Sequence, residues 1–195
     1  DCLTEKSGKS VGELFPNFNV LVHGGVNFEP YKQRLFDSIG RKVDTIETFP
    51  ASEGFFAFQD SQKSEGLLLN TDSGIFFEFV PAHEILNENP TRLQLAEIET
   101  GVNYALIISS NAGLWAYNIG DTIKFVSTNP YRLVVTGRTK HFISAFGEHV
   151  ISEEVEAALL QAATEENIPI TEFTVAPMIS ADSGKSYHEW FIEFE

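Results

Sequence analysis

Gly137-Arg138-Thr139-Lys140-His141-Phe142-Ile143, followed by Gly147-Glu148 and Ser152-Glu153-Glu154, marks the point at which the chain changes character. Upstream lie apolar runs of strand length at Tyr104 to Ser109, Leu114 to Asn118, Thr122 to Val126 and Tyr131 to Val135. These runs carry aromatic and β-branched residues and are punctuated by Gly, Asn and Pro. Downstream, Ser152 offers a hydroxyl as N-cap, and two acids follow it near the positive end of a helix macrodipole. Val155, Ala158, Leu159 and Ala162 then fall at helical spacing, and Ile170 to Val175 and Tyr187 to Phe194 read as strands. A boundary is expected at about residue 140, with a β-rich segment over 1–139 and the opening of a smaller α+β domain over 140–195.

Further upstream, Asn19 to His23 reads as a short strand ending at Gly24-Gly25. Pro30 to Ile39 reads as an amphipathic helix with Tyr31, Leu35 and Phe36 on one side and Gly40 as its stop. Thr45 to Phe49 is a strand leading into a polar turn at Ala51-Ser52-Glu53-Gly54. Gly66 to Leu69 and Gly74 to Val80 form an expected hairpin around Asn70-Thr71-Asp72-Ser73-Gly74. The fold class expected from these elements is α+β.

Seventeen Phe in 195 residues point to a β-rich core with aromatic filling. No apolar run approaches the roughly 20 residues needed to span a bilayer. A formal net charge of −15 disfavours nucleic acid or an anionic membrane surface as the main partner. The single cysteine, Cys2, cannot form an internal disulfide, and a cytoplasmic location is the default. The five histidines lack metal-ligand spacing. The chain opens on Asp1 and closes on the alternating Tyr187 to Glu195, so an interior piece of a longer protein is expected.

Several stretches bear chemistry, each with a plainer alternative. Lys6-Ser7-Gly8-Lys9-Ser10 contains the Gly-Lys-Ser that ends a P-loop, but Leu3 stands where the first glycine belongs and no strong strand precedes it. It reads as a surface turn. His23-Gly24-Gly25-Val26 follows a strand, where paired glycines allow a ligand close to the backbone or simply make a tight turn. Phe49-Pro50-Ala51-Ser52-Glu53-Gly54 offers a ring, a hydroxyl and a carboxylate on one turn. The ring can stack on a base, the hydroxyl can bond a phosphate and the carboxylate can hold Mg²⁺, or the stretch is an ordinary strand-ending turn. Asp121 follows Gly120 between two strands; an acid there can accept both hydroxyls of a ribose, or the pair is a hairpin turn. Thr122 to Gly147 holds no acid but does hold Lys124, Arg132, Arg138 and Lys140. In so acidic a chain such a window tolerates a polyphosphate, or is a chance gap in the charge.

Taken in order, Gly24-Gly25, Phe49-Pro50-Ala51-Ser52-Glu53, Gly120-Asp121 and Gly137-Arg138-Thr139-Lys140 through Glu156 resemble the adenylate-forming superfamily. Within it, His23-Gly24-Gly25-Val26 with Pro30-Tyr31, Ala51-Ser52-Glu53-Gly54 and His188-Glu189-Trp190 resemble the auxin-responsive Gretchen Hagen acyl-acid amido synthetases, and their bacterial branch in particular. The resemblance implies the C-terminal part of a large nucleotide-binding domain over 1–139, then the hinge and first part of a small lid domain over 140–195. It implies ATP and Mg²⁺ as cofactors, and a small carboxylic acid and an amino acid as the partners joined through an acyl-adenylate. Gly24, Gly25 and Val26 would border the adenine and Phe49 would stack on it, where the superfamily commonly has tyrosine. Ser52 would contact the α-phosphate, Glu53 would bind Mg²⁺, and Asp121 would hold the ribose hydroxyls with Arg138 nearby. Lys140 occupies the position of the hinge about which the lid rotates between half-reactions.

Two elements of the superfamily are absent from these residues. The Ser/Thr/Gly-rich phosphate loop belongs upstream of Gly24, and the adenylation lysine belongs in the lid, where Lys185 does not match it. The segment alone is therefore expected to have little activity. Two other functions stay open at this point: an acyl-CoA-type ligase of the same superfamily, and a non-catalytic nucleotide-binding module.

Overall fold

The computed structural model describes residues 2–25, 28, 31–139, 152–166, 168–178 and 187–194. The chain separates into two compact units, Asp1–Asn70 and Thr71–Glu195. The boundary expected at residue 140 falls outside the described residues.

The first unit opens with two short helices, α1 (Cys2–Ser7) and α2 (Val11–Leu14). Ser10, the last residue of the P-loop-like Gly-Lys-Ser, is the N-cap of α2 and completes a capping box with Glu13. The backbone N–H and hydroxyl of Ser10 hold the Glu13 carboxyl below its ordinary pKa. Lys6 and Ser7 end α1, so only Gly8 and Lys9 form the exposed turn, between the two helices.

Strand β1 (Val20–Gly24), helix α3 (Lys32–Ile39) and strand β2 (Asp44–Ala51) follow. β1 and β2 pair in parallel, so a crossover must return the chain to the same end, and α3 lies in that connection. α3 ends at Gly40 as its sequence leads one to expect, and buries Ile39. β2 turns back into β3 (Gly54–Phe58), which pairs antiparallel with it and with β4 (Leu67–Leu69). The Arg41 guanidinium donates to the Pro16 and Phe18 carbonyls at 3.1 and 2.7 Å, tying the first segment to the end of α3.

The second unit contains β5 (Ile75–Pro81), β6 (Asn103–Ser110), β7 (Tyr117–Thr128) and β8 (Tyr131–Arg138), paired antiparallel in the order β5-β6-β7-β8. The hairpin expected between β4 and β5 does not form: β4 pairs with β3, while β5 pairs with β6 over seven residues from Ile75↔Ser110 to Pro81↔Tyr104. β4 has three residues, too few to compete with that ladder.

β6 is buried from Tyr104 through Ile108 without alternation, the pattern of a strand covered on both faces. Its Tyr104 meets Phe79 of β5 and Phe125 of β7 edge-to-face, and Phe79 meets Phe125 at a centroid separation of 5.1 Å. All three rings are essentially fully buried, and the Tyr104 hydroxyl accepts the Glu99 N–H at 3.0 Å. The aromatic filling read from composition is thus concentrated here. Beyond β8, α4 (Ser152–Glu166) buries Leu159, and β9 (Ile170–Met178) pairs antiparallel with β10 (Tyr187–Phe194). Ala158 and Ala162, placed inward by helical spacing, are exposed.

One element differs in kind from the sequence reading. Of the two strands expected at Leu114 to Asn118 and Thr122 to Val126, only Tyr117 and Asn118 of the first and all of the second are strand, and they belong to the single strand β7 of 12 residues. The Gly120-Asp121 hairpin turn therefore does not exist; the pair lies within a strand held by neighbours on both edges, β6 and β8.

Phe125→Ala removes the ring that Phe79, Tyr104 and Tyr131 all contact. We expect a loss of about 3–5 kcal/mol in denaturant unfolding followed by circular dichroism. A loss below about 1 kcal/mol would mean that this cluster is not the core of the second unit.

Candidate functional site

In the first unit the residues singled out by sequence gather at the ends of β1 and β2. Gly24 is the last residue of β1 and stands opposite Thr48 in the parallel register. A Cβ on Gly24 would run into the Thr48 carbonyl oxygen and lie 3.0 Å from Thr48 Oγ1 and 3.2 Å from Pro50 Cδ. Glycine is needed there for close backbone approach, whatever else binds. Gly25 differs: its φ is +89° and a Cβ would meet nothing within 4 Å. Its side faces open space, as a ligand-bordering position requires. Val26 lies outside the described residues.

His23 precedes this pair and stacks at 4.3 Å on Phe28. Its carbonyl accepts the Thr48 hydroxyl at 2.9 Å, while its buried Nδ1 has no hydrogen-bond partner.

Ser52 and Glu53 form the two-residue turn between β2 and β3, flanked by the Ala51↔Gly54 pair. Ser52 is exposed and Glu53 half-buried. A hydroxyl and a carboxylate thus sit on adjacent residues of a two-residue hairpin tip. Phe49 is placed otherwise: it is 7% exposed and its ring lies edge-on to Phe56 at 5.2 Å. It fills the core beneath the turn, with little ring face left for a base. Among the described residues no group of three or more His, Cys, Asp or Glu is arranged to hold a metal. A lone turn carboxylate does fit Mg²⁺ that arrives with a polyphosphate, because Mg²⁺ keeps most of its water and takes one or two carboxylates.

In the second unit Asp121 and Arg138 stand opposite each other on β7 and β8, and Arg138 Nε lies 2.9 Å from Asp121 Oδ1. The Asp121 side chain is 17% exposed and that of Arg138 57%. With the Arg138 side of the pair open to solvent, it adds modestly to stability. Its larger effect is to orient the carboxylate.

Gly120, with φ +87°, is held on both sides. Its N–H donates to Asn118 Oδ1 at 2.9 Å, and its carbonyl accepts the Thr139 N–H at 2.7 Å. Sequence reasoning missed Asn118 and Thr139; an Asn two residues ahead of a glycine was the available signal. Lys124 and Arg132 sit farther along β7 and β8, and Lys140 lies outside the described residues. No described helix is long and apolar enough to cross a membrane.

Residues 68–138 match the profile of the GH3 family central domain. Along 95% of its length the chain is 26% identical to a jasmonoyl–L-amino acid synthetase (JAR4) of Nicotiana attenuata, of which it covers 34%. The chain therefore spans about a third of that relative. Its fold is similar to that of about a third of a GH3.15 acyl acid amido synthetase, with a TM-score of 0.74 at 15% identity over 94% of this chain and 34% of the other. It is also similar to an anthranilate CoA ligase, AuaEII, solved with anthranoyl-AMP: TM-score 0.57, 15% identity, 90% of this chain and 34% of that one. The expected α+β class holds in both comparisons of fold.

The two glycines can be told apart by substitution. Gly24→Ala is expected to lower thermal stability by roughly 1–3 kcal/mol, because backbone must move. Gly25→Ala adds only left-handed strain, about 1 kcal/mol. Equal melting temperatures for the two variants would contradict the close β1–β2 approach.

Proposed function

We propose that this chain supplies the nucleotide-gripping part of an ATP-dependent ligase that activates a carboxylic acid as its acyl-adenylate and joins it to an amino acid. Similarity to an amido synthetase along 95% of the chain is the observation that carries this reading. The conspicuous residues at the β1, β2 and β7 positions support it. The bacterial branch of the Gretchen Hagen family is the nearest assignment, from the Gly24-Gly25 and Ala51-Ser52-Glu53-Gly54 motifs. A cytoplasmic location and a lack of affinity for nucleic acid accord with a net charge of −15 and one cysteine.

In this reading Gly24, Gly25 and Val26 border the adenine, and Ser52 donates to the α-phosphate. Glu53 holds Mg²⁺ carried on the phosphates, which supplies charge neutralisation. Asp121 accepts the ribose hydroxyls, with its second oxygen fixed by Arg138. Phe49 supports the turn from beneath and contributes at most its ring edge to the base. Lys140 is the hinge of a lid that begins at residue 140.

The substrate carboxylate attacks the α-phosphorus, and the bond to pyrophosphate breaks. The amine of the acceptor then attacks the acyl carbon, and AMP leaves. Positioning and electrostatics provide most of the rate. An acyl-CoA ligase is the second reading, favoured by the likeness to the anthranilate CoA ligase. A non-catalytic nucleotide-binding module is the third.

In the full-length protein, Glu53→Ala is expected to reduce Mg²⁺-dependent ATP–pyrophosphate exchange at least about tenfold, or about 1.4 kcal/mol. Asp121→Ala is expected to raise the KM for ATP, with hydrogen bonds to a charged group worth about 1.5–3 kcal/mol. Unchanged exchange in both variants would favour the non-catalytic module, and turnover with coenzyme A but no amino acid would favour the second reading.

A further inference from the structure

Between Ile123 and Asp121, β8 carries one residue more than β7, and nearer the turn β7 carries the extra residue, Val126. The pairs Ile123↔Val135 and Thr122↔Gly137 are consecutive on β7 but skip Thr136 on β8. Side chains alternate along a strand, so one inserted residue moves everything beyond it to the other face. Without the insertion Arg138 would share the face of Arg132 and Val134. With it, Arg138 stands opposite Asp121 and reaches it at 2.9 Å.

The inserted residue is itself fastened. Thr136 is 2% exposed and Thr122 5%, the two buried polar residues among those described. Thr136 Oγ1 lies 2.6 Å from Asn103 Oδ1 and 2.9 Å from Thr122 Oγ1. Asn103 Oδ1 can only accept, so the one Thr136 proton goes to it and the Thr122 hydroxyl donates to Thr136. The chain of bonds thus runs across β7, β8 and β6, through the interior, one residue away from Asp121. Such a group buried among apolar strands is costly to leave unpaired, so the three hold one another in a single arrangement.

We infer that Thr136, with Thr122 and Asn103, is a positioning element for nucleotide binding: it locks the bulge that brings Arg138 onto Asp121 and thereby aims the carboxylate at a ribose. This rests on the ribose-binding role proposed for Asp121. None of the three need touch the nucleotide.

The test uses ATP–pyrophosphate exchange by the full-length protein, with KM for ATP, KM for the acid substrate and kcat measured separately. Thr136→Val keeps the shape and removes the hydroxyl. It is expected to raise the KM for ATP roughly three- to thirtyfold with the other two constants near wild type. Thr136→Ser, which keeps the hydroxyl, is expected to restore it. In an Asp121→Asn background Thr136→Val should add nothing further, because its effect passes through that carboxylate.

Should Thr136→Val not fold, Thr122→Val removes only the outer bond and is expected to give the same selective rise in smaller measure. A KM for ATP that Asp121→Asn raises but neither threonine variant moves would overturn the inference and leave the ribose role standing. A KM that Asp121→Asn does not move would overturn both. Additive effects in the double variant, or a parallel loss in all three constants, would show a general structural role and also overturn it.

Discussion

Strand β7 is hydrogen-bonded along both edges, to β6 on one side and β8 on the other. That double pairing constrains the second unit more than any single contact. It buries Ile123 and Phe125 among Tyr104, Phe79 and Leu133, and it forces irregularities in the strand to be absorbed locally. One is absorbed at Val126, and two others at Gly120, which takes a left-handed φ between Asn118 and Thr139, and at the inserted Thr136 on β8. The Gly120 and Thr136 irregularities lie beside Asp121. In the proposed account, an apolar strand core sets the direction of a polar side chain within β7, and the Asp121 carboxylate owes its geometry to packing residues.

The first unit uses a different device. A parallel pair leaves the chain at the carboxyl ends of β1 and β2, where Gly24 allows close approach and Gly25 opens outward. The tight Ser52-Glu53 turn then presents a hydroxyl and a carboxylate without a long flexible loop. A short turn of this kind leaves few residues to be ordered by any ligand, so little conformational entropy would be lost there.

Much of this was legible in the sequence. Asn19 to His23, Pro30 to Ile39, Tyr104 to Ser109 and Tyr187 to Phe194 announced their elements through periodicity and flanking Gly or Pro, and the structure places elements within a residue or two of them. The Ser52-Glu53 turn was legible for the same reason. The hairpin expected at Asn70 to Gly74 was not formed, because turn residues report a local bend whereas the ladder of β5 with β6 is won by long-range apolar pairing. Gly120-Asp121 misled similarly: Gly-Asp between two apolar runs has the composition of a turn, and only pairing on both edges reveals a bulged strand. The aromatic character of Phe49 was legible, but its burial against Phe56 was not, since it depends on the packing of β2 on β3. The Thr136 insertion had no local signal, since a threonine in a strand is ordinary until its register is known.

The reading of this chain as part of an adenylating ligase stands or falls on which bond of ATP is broken. The direct measurement is to incubate the full-length protein with ATP, Mg²⁺, a panel of acyl acids and mixed amino acids, and to separate the nucleotide products by mass spectrometry. AMP and pyrophosphate, formed in step with an acyl-amino acid, are the expected products. ADP and orthophosphate, or no ATP consumption with any acid, would contradict it.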